Sequence, residues 1–327
     1  MRRRSFLGGV GAYAVVGTRG AWGQPRLPVV GYLSTVSATT GEPVAAAFRR
    51  GLADIGFSEG RNVAFEYRYA EGQLGRLPEL AEELVRRRVN VIAAMGGSRS
   101  ALAAKGATTT IPTVFTMGDA DPVQVGVVTS LARPGGNITG ISLLGGALGA
   151  KRLEILRELV PTAVKIGVLI NPENKNVGAE REELETSIVR GKQKALVVPF
   201  APSGDIEAAM AMFSQDRVDA LIVTADPIFT NRRVQIAALA ARYRIPAIYQ
   251  WSAFVAAGGL VSYGTELEDV YRKAGQYTGR VLQGELPANL PVQQPTTFQL
   301  AINLTAARTL GLVVPPTLLA RADQVIE

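Results

Sequence analysis

The chain has 327 residues, of which 47% are apolar and 19% charged, and this composition predicts a folded protein of about two domains. It contains neither cysteine nor histidine, which excludes disulfides, thiol nucleophiles, Cys/His zinc sites and a Ser-His-Asp triad. The formal net charge of +7 does not indicate a nucleic-acid partner, because four arginines lie near the N-terminus and the other basic residues are interleaved with acidic ones.

Residues 1–23 have the three-part pattern of an export signal. Arginines at positions 2–4 are followed by a short apolar run over residues 6–16, and Ala21 and Gly23 stand before a cleavage point at Gln24. The stretch RRSFL at residues 3–7 resembles the twin-arginine export pattern. The apolar run is too short to span a bilayer, and no cysteine follows it to carry a lipid. We therefore expect cleavage near Gly23 and a mature chain in the periplasm without a lipid anchor.

The rest of the chain alternates short apolar runs with amphipathic stretches, and it does so twice. The first half predicts strands at residues 29–33, 63–69, 91–95 and 113–117, with helices at 43–55, 77–88 and 98–105. The second half predicts strands at residues 165–170, 195–199, 220–223 and 247–249, with helices at 178–191, 205–213 and 231–243. This rhythm predicts two doubly wound, Rossmann-like α/β lobes, each with a parallel sheet covered on both faces.

Two apolar stretches fringed by glycine, residues 137–143 and 260–264, lie where the chain should pass between these lobes. We expect the helix at 266–283 to return to the first lobe and the strand at 298–302 to return to the second. The predicted division places residues 24–138 and 263–285 in lobe 1, and residues 139–262 and 286–327 in lobe 2. Several crossings form a hinge, and a hinge between two lobes can close a cleft around a ligand.

Ligands in open α/β sheets bind beyond the carboxyl ends of the strands, so residues near the strand ends are candidates for the site. In lobe 1 these candidates are Ser34, Thr35, Gly97, Ser98, Asp119 and Asp121. Gly97 and Ser98 open a helix, whose N–H groups favour a ligand carboxylate, although the same residues suit an ordinary N-cap. Asp119 and Asp121 could pair with a ligand ammonium group, although aspartate also begins turns.

In lobe 2 and the hinge the candidates are Asn171, Asp226, Tyr249 and Tyr263. Asp226 precedes a proline, as Asp121 does, and is a second candidate partner for an ammonium group. Tyr249 and Tyr263, with Trp251 close by, could form an aromatic wall for a flat or apolar ligand, or could simply pack in the core or the hinge. The sequence predicts no metal ligands and no catalytic residues.

Several stretches of the chain are similar to one protein family. They are FRRGL at 48–52, EYRYAEG at 66–72, LARPGGNITG at 131–140, KRLE at 151–154, AAGGLVSYG at 256–264 and LARAD at 319–323. Together they resemble the bacterial ABC-transporter substrate-binding proteins, a family that includes tryptophan- and tyrosine-binding members. The resemblance covers essentially the whole chain.

The resemblance implies a type I periplasmic-binding fold, no catalysis and no obligatory cofactor. It implies a small-molecule ligand, for which an amino acid, and an aromatic one in particular, is the expectation. It also implies a membrane permease and its ATPase as partners, and a monomer suits such a shuttle. Two alternatives stay open at this point: a receptor that signals to a membrane sensor, and an exported enzyme that uses neither histidine nor cysteine.

Overall fold

The computed structural model describes residues 27–143, 148–174, 177–200 and 204–327, so the predicted export signal lies outside the described residues. Lobe 1 contains a five-stranded parallel sheet in the order β2-β1-β3-β4-β5. Its strands are β1 (Val29–Ser34), β2 (Ala64–Tyr69), β3 (Val91–Met95), β4 (Thr113–Met117) and β5 (Ile138–Ser142). Its helices from this part of the chain are α1 (Ala38–Asp54), α2 (Leu77–Arg86) and α3 (Ser98–Ala107).

Lobe 2 contains a seven-stranded sheet in the order β12-β11-β10-β9-β8-β6-β7. Its elements before the return to lobe 1 are α4 (Gly149–Leu159), β6 (Lys165–Ile170), α5 (Val177–Arg190), β7 (Lys194–Pro199), α6 (Ile206–Gln215), β8 (Ala220–Val223), α7 (Pro227–Asn231), α8 (Arg233–Arg242), β9 (Ala247–Tyr249), α9 (Ser252–Ala256) and β10 (Val261–Thr265). Helix α10 (Leu267–Leu282) then packs on lobe 1. The chain ends with β11 (Phe298–Asn303), α11 (Leu304–Thr309), α12 (Pro316–Leu319) and β12 (Gln324–Ile326).

The central strands explain why the chain folds in this way. Every residue of β3 and β4 is buried, as are those of β8 and β9, because helices cover both faces of each sheet. The prediction of two α/β lobes is confirmed, with one difference in the second sheet. Strand β11 is antiparallel to β10, because β10 runs toward lobe 1 while β11 runs back from it.

The crossings between the lobes lie later in the chain than predicted. All of β5 pairs with β4, and all of β10 pairs with β11, so neither strand is divided between lobes. The segment after α10 still follows lobe 1, since the N–H of Gln293 donates to Gly140 and its carbonyl accepts from the N–H of Ser142. The chain therefore changes sheet beyond residues 143, 265 and 293 rather than at 138, 262 and 285.

Two helices also differ in their bounds from the sequence prediction. Helix α1 begins five residues before the predicted start, because the Ser37 hydroxyl caps it by accepting from the N–H of Thr40 at 3.1 Å. The predicted helix at 231–243 is divided between α7 and α8, which meet at Arg232. No helix within the described ranges has the length and apolarity to cross a membrane.

Helices α1 and α10 pack at very short range through glycines. A Cβ added at Gly275 would meet the carbonyl oxygen of Phe48 and lie 2.9 Å from the backbone nitrogen of Leu52. A Cβ at Gly51 would likewise meet the carbonyl of Arg272. These neighbours are backbone atoms, so neither helix can make room by a change of rotamer.

We therefore expect Gly275→Ala to lower the free energy of unfolding by about 1–3 kcal/mol, because the two helices must move apart. Urea denaturation measures this change. The matched control is Gly106→Ala in α3, where an added Cβ meets nothing within 4 Å, and which should leave stability unchanged or raise it slightly. Equal stabilities for the two variants would contradict the role given to the α1–α10 contact.

Candidate functional site

A cavity lies between the two lobes, at the carboxyl ends of their strands. Lobe 1 lines it with residues that follow or end β1, β3, β4 and β5, and lobe 2 lines it with residues that follow β8 and β9. The first turns of α10 close a third side. This position is the one expected for ligands of α/β sheets.

Asp119 is the half-buried acidic group of the lobe 1 wall. Its carboxylate accepts a hydrogen bond from the backbone N–H of Ser98 at 2.8 Å and another from the Ser98 hydroxyl at 2.7 Å. It thereby caps α3, since the residue at the N-cap position is Gly97, which has no side chain. Burial raises the pKa of Asp119 in spite of these hydrogen bonds.

Asp226 is its counterpart in lobe 2. One carboxylate oxygen caps α7 by accepting from the N–H of Ile228 at 2.9 Å, and the other accepts from the amides of Asn171 and Asn174, both at 3.1 Å. Burial, with a smaller contribution from the charge of Asp119, raises the pKa of Asp226 to about 6 against these hydrogen bonds. The two carboxylates therefore act on each other across the cleft.

The remainder of the cleft wall is mainly apolar and aromatic. Trp251 follows β9, and Tyr271 lies one turn into α10; both are buried, and both line the cavity. Burial raises the pKa of Tyr271 to about 12, and its hydroxyl bonds to Thr116 at the end of β4. Among the lining residues that the structure describes, there is no lysine or arginine. The cavity thus has aromatic residues in its walls, and the charged groups among its described lining residues are all acidic.

The lobes touch each other beside this cavity. The Arg99 guanidinium of α3 donates to the backbone carbonyl of Glu173 in lobe 2 at 2.9 Å. A Cβ added at Gly97 would lie 3.0 Å from Cγ of Pro227, and the φ of Gly97 is +128°. These contacts across the cleft describe a closed arrangement of the two lobes.

The structure brings six of the ten predicted site residues to the cleft or directly behind it. Thr35, Gly97, Asp119 and Asp226 line the cavity. Ser98 and Asn171 stand behind it and hold the two carboxylates. The expectation that the start of α3 receives a ligand carboxylate needs correction, because Asp119 already accepts the N–H and the hydroxyl of Ser98.

The other four predicted residues lie outside the cleft lining. The Ser34 hydroxyl belongs to the buried end of β1 and accepts from the N–H of Val36 at 3.4 Å. Asp121 is exposed and holds a turn by accepting from the N–H groups of Val123 and Gln124. Both side chains therefore bond to nearby backbone N–H groups, Ser34 at the end of a strand and Asp121 in a turn.

The two tyrosines predicted for the site, Tyr249 and Tyr263, also pack within the fold and do not line the cavity. Tyr249 is the last residue of β9, and its ring stacks on Phe254 with 4.6 Å between centroids. Tyr263 lies within β10, where its ring packs 6.1 Å from that of Phe298 and its carbonyl accepts from Arg152. Both side chains are therefore used in packing lobe 2.

The aromatic part of the cavity lining consists of Trp251, which the sequence analysis named beside these tyrosines, and Tyr271. The signal for Trp251 was present, since it follows a strand. Nothing in the sequence around Tyr271 indicates its role, because α10 approaches the cleft only after the chain has crossed back to lobe 1.

Two α/β lobes that are joined by several crossings and enclose a buried cleft define a solute-binding protein of the two-lobed type. A family model described as "ABC transporter substrate binding protein" matches residues 30–326, and the chain therefore belongs to this family. Such proteins bind solutes outside the cytoplasm for ABC transporters, so membership implies a small-molecule ligand and a membrane transporter as partner. The family and fold class predicted from the sequence are confirmed.

Individual relatives agree with this membership. The "Tyrosine-binding protein" of Clostridioides difficile (strain R20291) is 27% identical over 265 residues, which cover 81% of this chain and 75% of the relative. A conserved domain protein from Vibrio cholerae superposes with a TM-score of 0.84 at 27% identity, over 92% of this chain and 100% of that one. An ABC domain from Streptococcus pneumonia, solved in complex with L-Trp, has the same fold with a TM-score of 0.82 at 24% identity, over 92% and 100% of the two chains.

Proposed function

We propose that this protein binds an amino acid, preferentially an aromatic one, in the cleft between its lobes and delivers it to the permease and ATPase of an ABC importer. The observation that carries the proposal is a pair of carboxylates, half-buried Asp119 and buried Asp226, which line the cleft from opposite lobes. A ligand ammonium group supplies the positive charge that the lining residues lack. The same cleft offers Trp251 and Tyr271 as walls for a flat side chain.

The carboxylate of such a ligand needs donors other than the start of α3. Helix α10 begins beside the cleft at Leu267, and no side chain caps its first N–H groups. These N–H groups, with the positive end of the helix dipole, are suitable partners for a carboxylate. The ligand then contacts both lobes and the hinge helix together, which favours the closed state.

The relatives support the choice of ligand class. One curated relative is named for tyrosine, and a structural neighbour holds L-Trp. We further propose that the chain acts as a monomer, performs no catalysis, and reaches the periplasm through the signal at residues 1–23. Calorimetric titration with the twenty amino acids tests the ligand class, and mass spectrometry of the ligand afterwards tests the absence of catalysis. Binding without turnover is expected, and conversion of the ligand would contradict the proposal.

Binding of an amine ligand should depend on pH through Asp226. Since the carboxyl must be ionised to pair with an ammonium group, we expect affinity to fall as the pH drops below about 6, by up to about tenfold per pH unit. The stability of the unliganded protein should change in the opposite direction, falling as the pH rises through this range. Between about pH 4 and pH 6 the native state retains a proton that the unfolded state has lost, so this group lowers stability as the pH rises.

Ligand titrations between pH 4.5 and pH 7.5 measure the affinity, and urea denaturation of the unliganded protein over the same range measures its stability. Glu180 is buried beneath the cleft, 3.5 Å from Arg152, and burial raises its pKa to about 7, so it can add a second titration. Asp119, whose pKa is also raised, can add a third. Asp226→Asn separates these contributions, because this variant should flatten the pH dependence near pH 6. A profile unchanged in Asp226→Asn would contradict the role given to Asp226.

A further inference from the structure

The residues that line the cleft carry an excess of negative charge. Asp119 lines it from lobe 1 and Asp226 from lobe 2, and the described lining residues include no lysine or arginine. An amino acid at neutral pH has no net charge, because its carboxylate matches its ammonium group. Only the ammonium group is complementary to the two aspartates. The ligand carboxylate must enter the same negatively charged space, where it is repelled.

Three helices that begin beside the cleft are capped by side chains of the protein itself. Ser37 caps α1 by accepting from the N–H of Thr40, and Asp119 caps α3 by accepting from the N–H of Ser98. Asp226 caps α7 in the same way. Free N–H groups at helix starts are the usual backbone donors to an anion. A ligand carboxylate would therefore have to displace a protein side chain to reach these N–H groups.

Helices α9 and α10 begin beside the cleft without a side-chain cap, and each has a feature that weakens its attraction for an anion. Helix α9 has only five residues, so few peptide dipoles add at its start. Glu266 directly precedes α10, and Glu268 and Asp269 lie in the first turn. Arg50 and Lys273 pair with the latter two, at 2.7 Å each. The charge of Glu266 still opposes part of the attraction between the α10 N–H groups and a ligand carboxylate.

The electrostatics of the two aspartates agree with this charge balance. Burial raises the pKa of both Asp119 and Asp226, and the charge of Asp119 contributes to the raised pKa of Asp226. Arg99 lowers the pKa of Asp119 from outside the cavity lining, but its guanidinium donates to the carbonyl of Glu173. The two carboxylates therefore repel each other more than this arginine offsets, and a cation between them relieves that repulsion.

We propose that the cleft also takes arylalkylamines, which keep the ammonium group and the ring of an aromatic amino acid but lack its carboxylate. This inference rests on the proposed function, because it uses the same cleft and the same aromatic residues, Trp251 and Tyr271. Loss of the ligand carboxylate removes its repulsion by Asp119 and Asp226. It removes few hydrogen bonds, because side chains of the protein already cap three of the helix starts at the cleft.

Replacing one negative charge in the cleft tests the charge balance itself. In Asp119→Asn the carbonyl oxygen can still accept from the N–H of Ser98, and the Ser98 hydroxyl can turn to accept from the new amide. This variant should weaken binding of tryptamine at least about threefold more than binding of L-tryptophan, because the amino acid also loses a repulsion of its carboxylate. Asp121→Asn, at an exposed position, should leave the ratio of the two affinities unchanged. Equal changes for both ligands in Asp119→Asn would overturn the proposal.

Calorimetric titrations of the full chain at pH 7.5 compare L-tryptophan with tryptamine and L-tyrosine with tyramine. For whichever amino acid binds more tightly, we expect its amine to bind the same site at least as tightly and to compete with it. An amine that binds more than about tenfold more weakly than its amino acid would overturn this inference and leave the proposed function standing, since a charged hydrogen bond contributes at least about that factor. Absence of binding by all four compounds would contradict the proposed function as well.

Discussion

Replacing Asp226 with asparagine is expected to weaken binding of an aromatic amino acid by about 10- to 150-fold. A hydrogen bond between charged groups contributes about 1.5–3 kcal/mol, and the exchange removes the charge that faces the ligand ammonium group. Asparagine keeps a carbonyl oxygen for the N–H of Ile228, but its amide nitrogen then faces the amides of Asn171 and Asn174, so a control for structural effects is needed. Calorimetric titration gives the affinity, and circular dichroism checks that the variant folds.

The matched control is Asp121→Asn, because Asp121 also precedes a proline but is exposed and holds only a surface turn. This variant should bind as tightly as the original protein. A second comparison uses a ligand that lacks the amine, such as 3-phenylpropionate. It should bind weakly, and Asp226→Asn should not weaken its binding further. Equal losses for the amino acid and its desamino analogue would show that Asp226 acts through structure and not through the ammonium group.

Gly97→Ala is expected to hinder closure of the cleft. The added Cβ would lie 3.0 Å from Cγ of Pro227 in the opposite lobe and 3.3 Å from a carboxylate oxygen of Asp119. Overpacking of this kind costs about 1–3 kcal/mol, and the opening of the lobes relieves the contact with Pro227. Since the ligand needs the closed state, its affinity should fall by about 5- to 150-fold. Small-angle scattering should show a larger radius of gyration at equal ligand concentration.

Gly56→Ala provides the control for backbone strain. Gly56 has a φ of +93°, but an added Cβ there meets nothing within 4 Å. An alanine at either position is strained, so both variants should lose stability. Only Gly97→Ala should lose affinity. If Gly56→Ala weakened binding to the same degree, the effect would have to come from general destabilisation and not from closure.

Much of the fold could be predicted from periodicity, because buried parallel strands are short apolar runs and the helices between them are amphipathic. The strand-end rule pointed to Thr35, Asp119 and Asp226, which line the cavity. Ser34 is the last residue of β1, one residue beyond the predicted strand end, and Thr35 after it lines the cavity. Sequence patterns do not fix strand ends to one residue. Tyr249 ends β9 at the predicted position, and Trp251, two residues further on, lines the cavity.

Tertiary contacts account for the remaining differences. The start of α3 was predicted to hold a ligand carboxylate, but Asp119 is brought there from the end of β4. Tyr271 reaches the cleft because α10 crosses back to lobe 1, and the crossing points themselves lie later than the glycine-rich stretches indicated. Propensity and spacing describe local structure, and they contain no information about which distant segment fills a given helix terminus.

The central claim is that the cleft holds an amino acid between carboxylates from both lobes. The most direct test is a calorimetric titration of the protein at pH 7.5 with L-tyrosine and L-tryptophan, and with the desamino analogue of each. We predict saturable binding of at least one of these amino acids to one site per chain, and binding at least about tenfold weaker for its analogue. Tighter binding of the desamino acids, or no binding of either amino acid, would contradict the account.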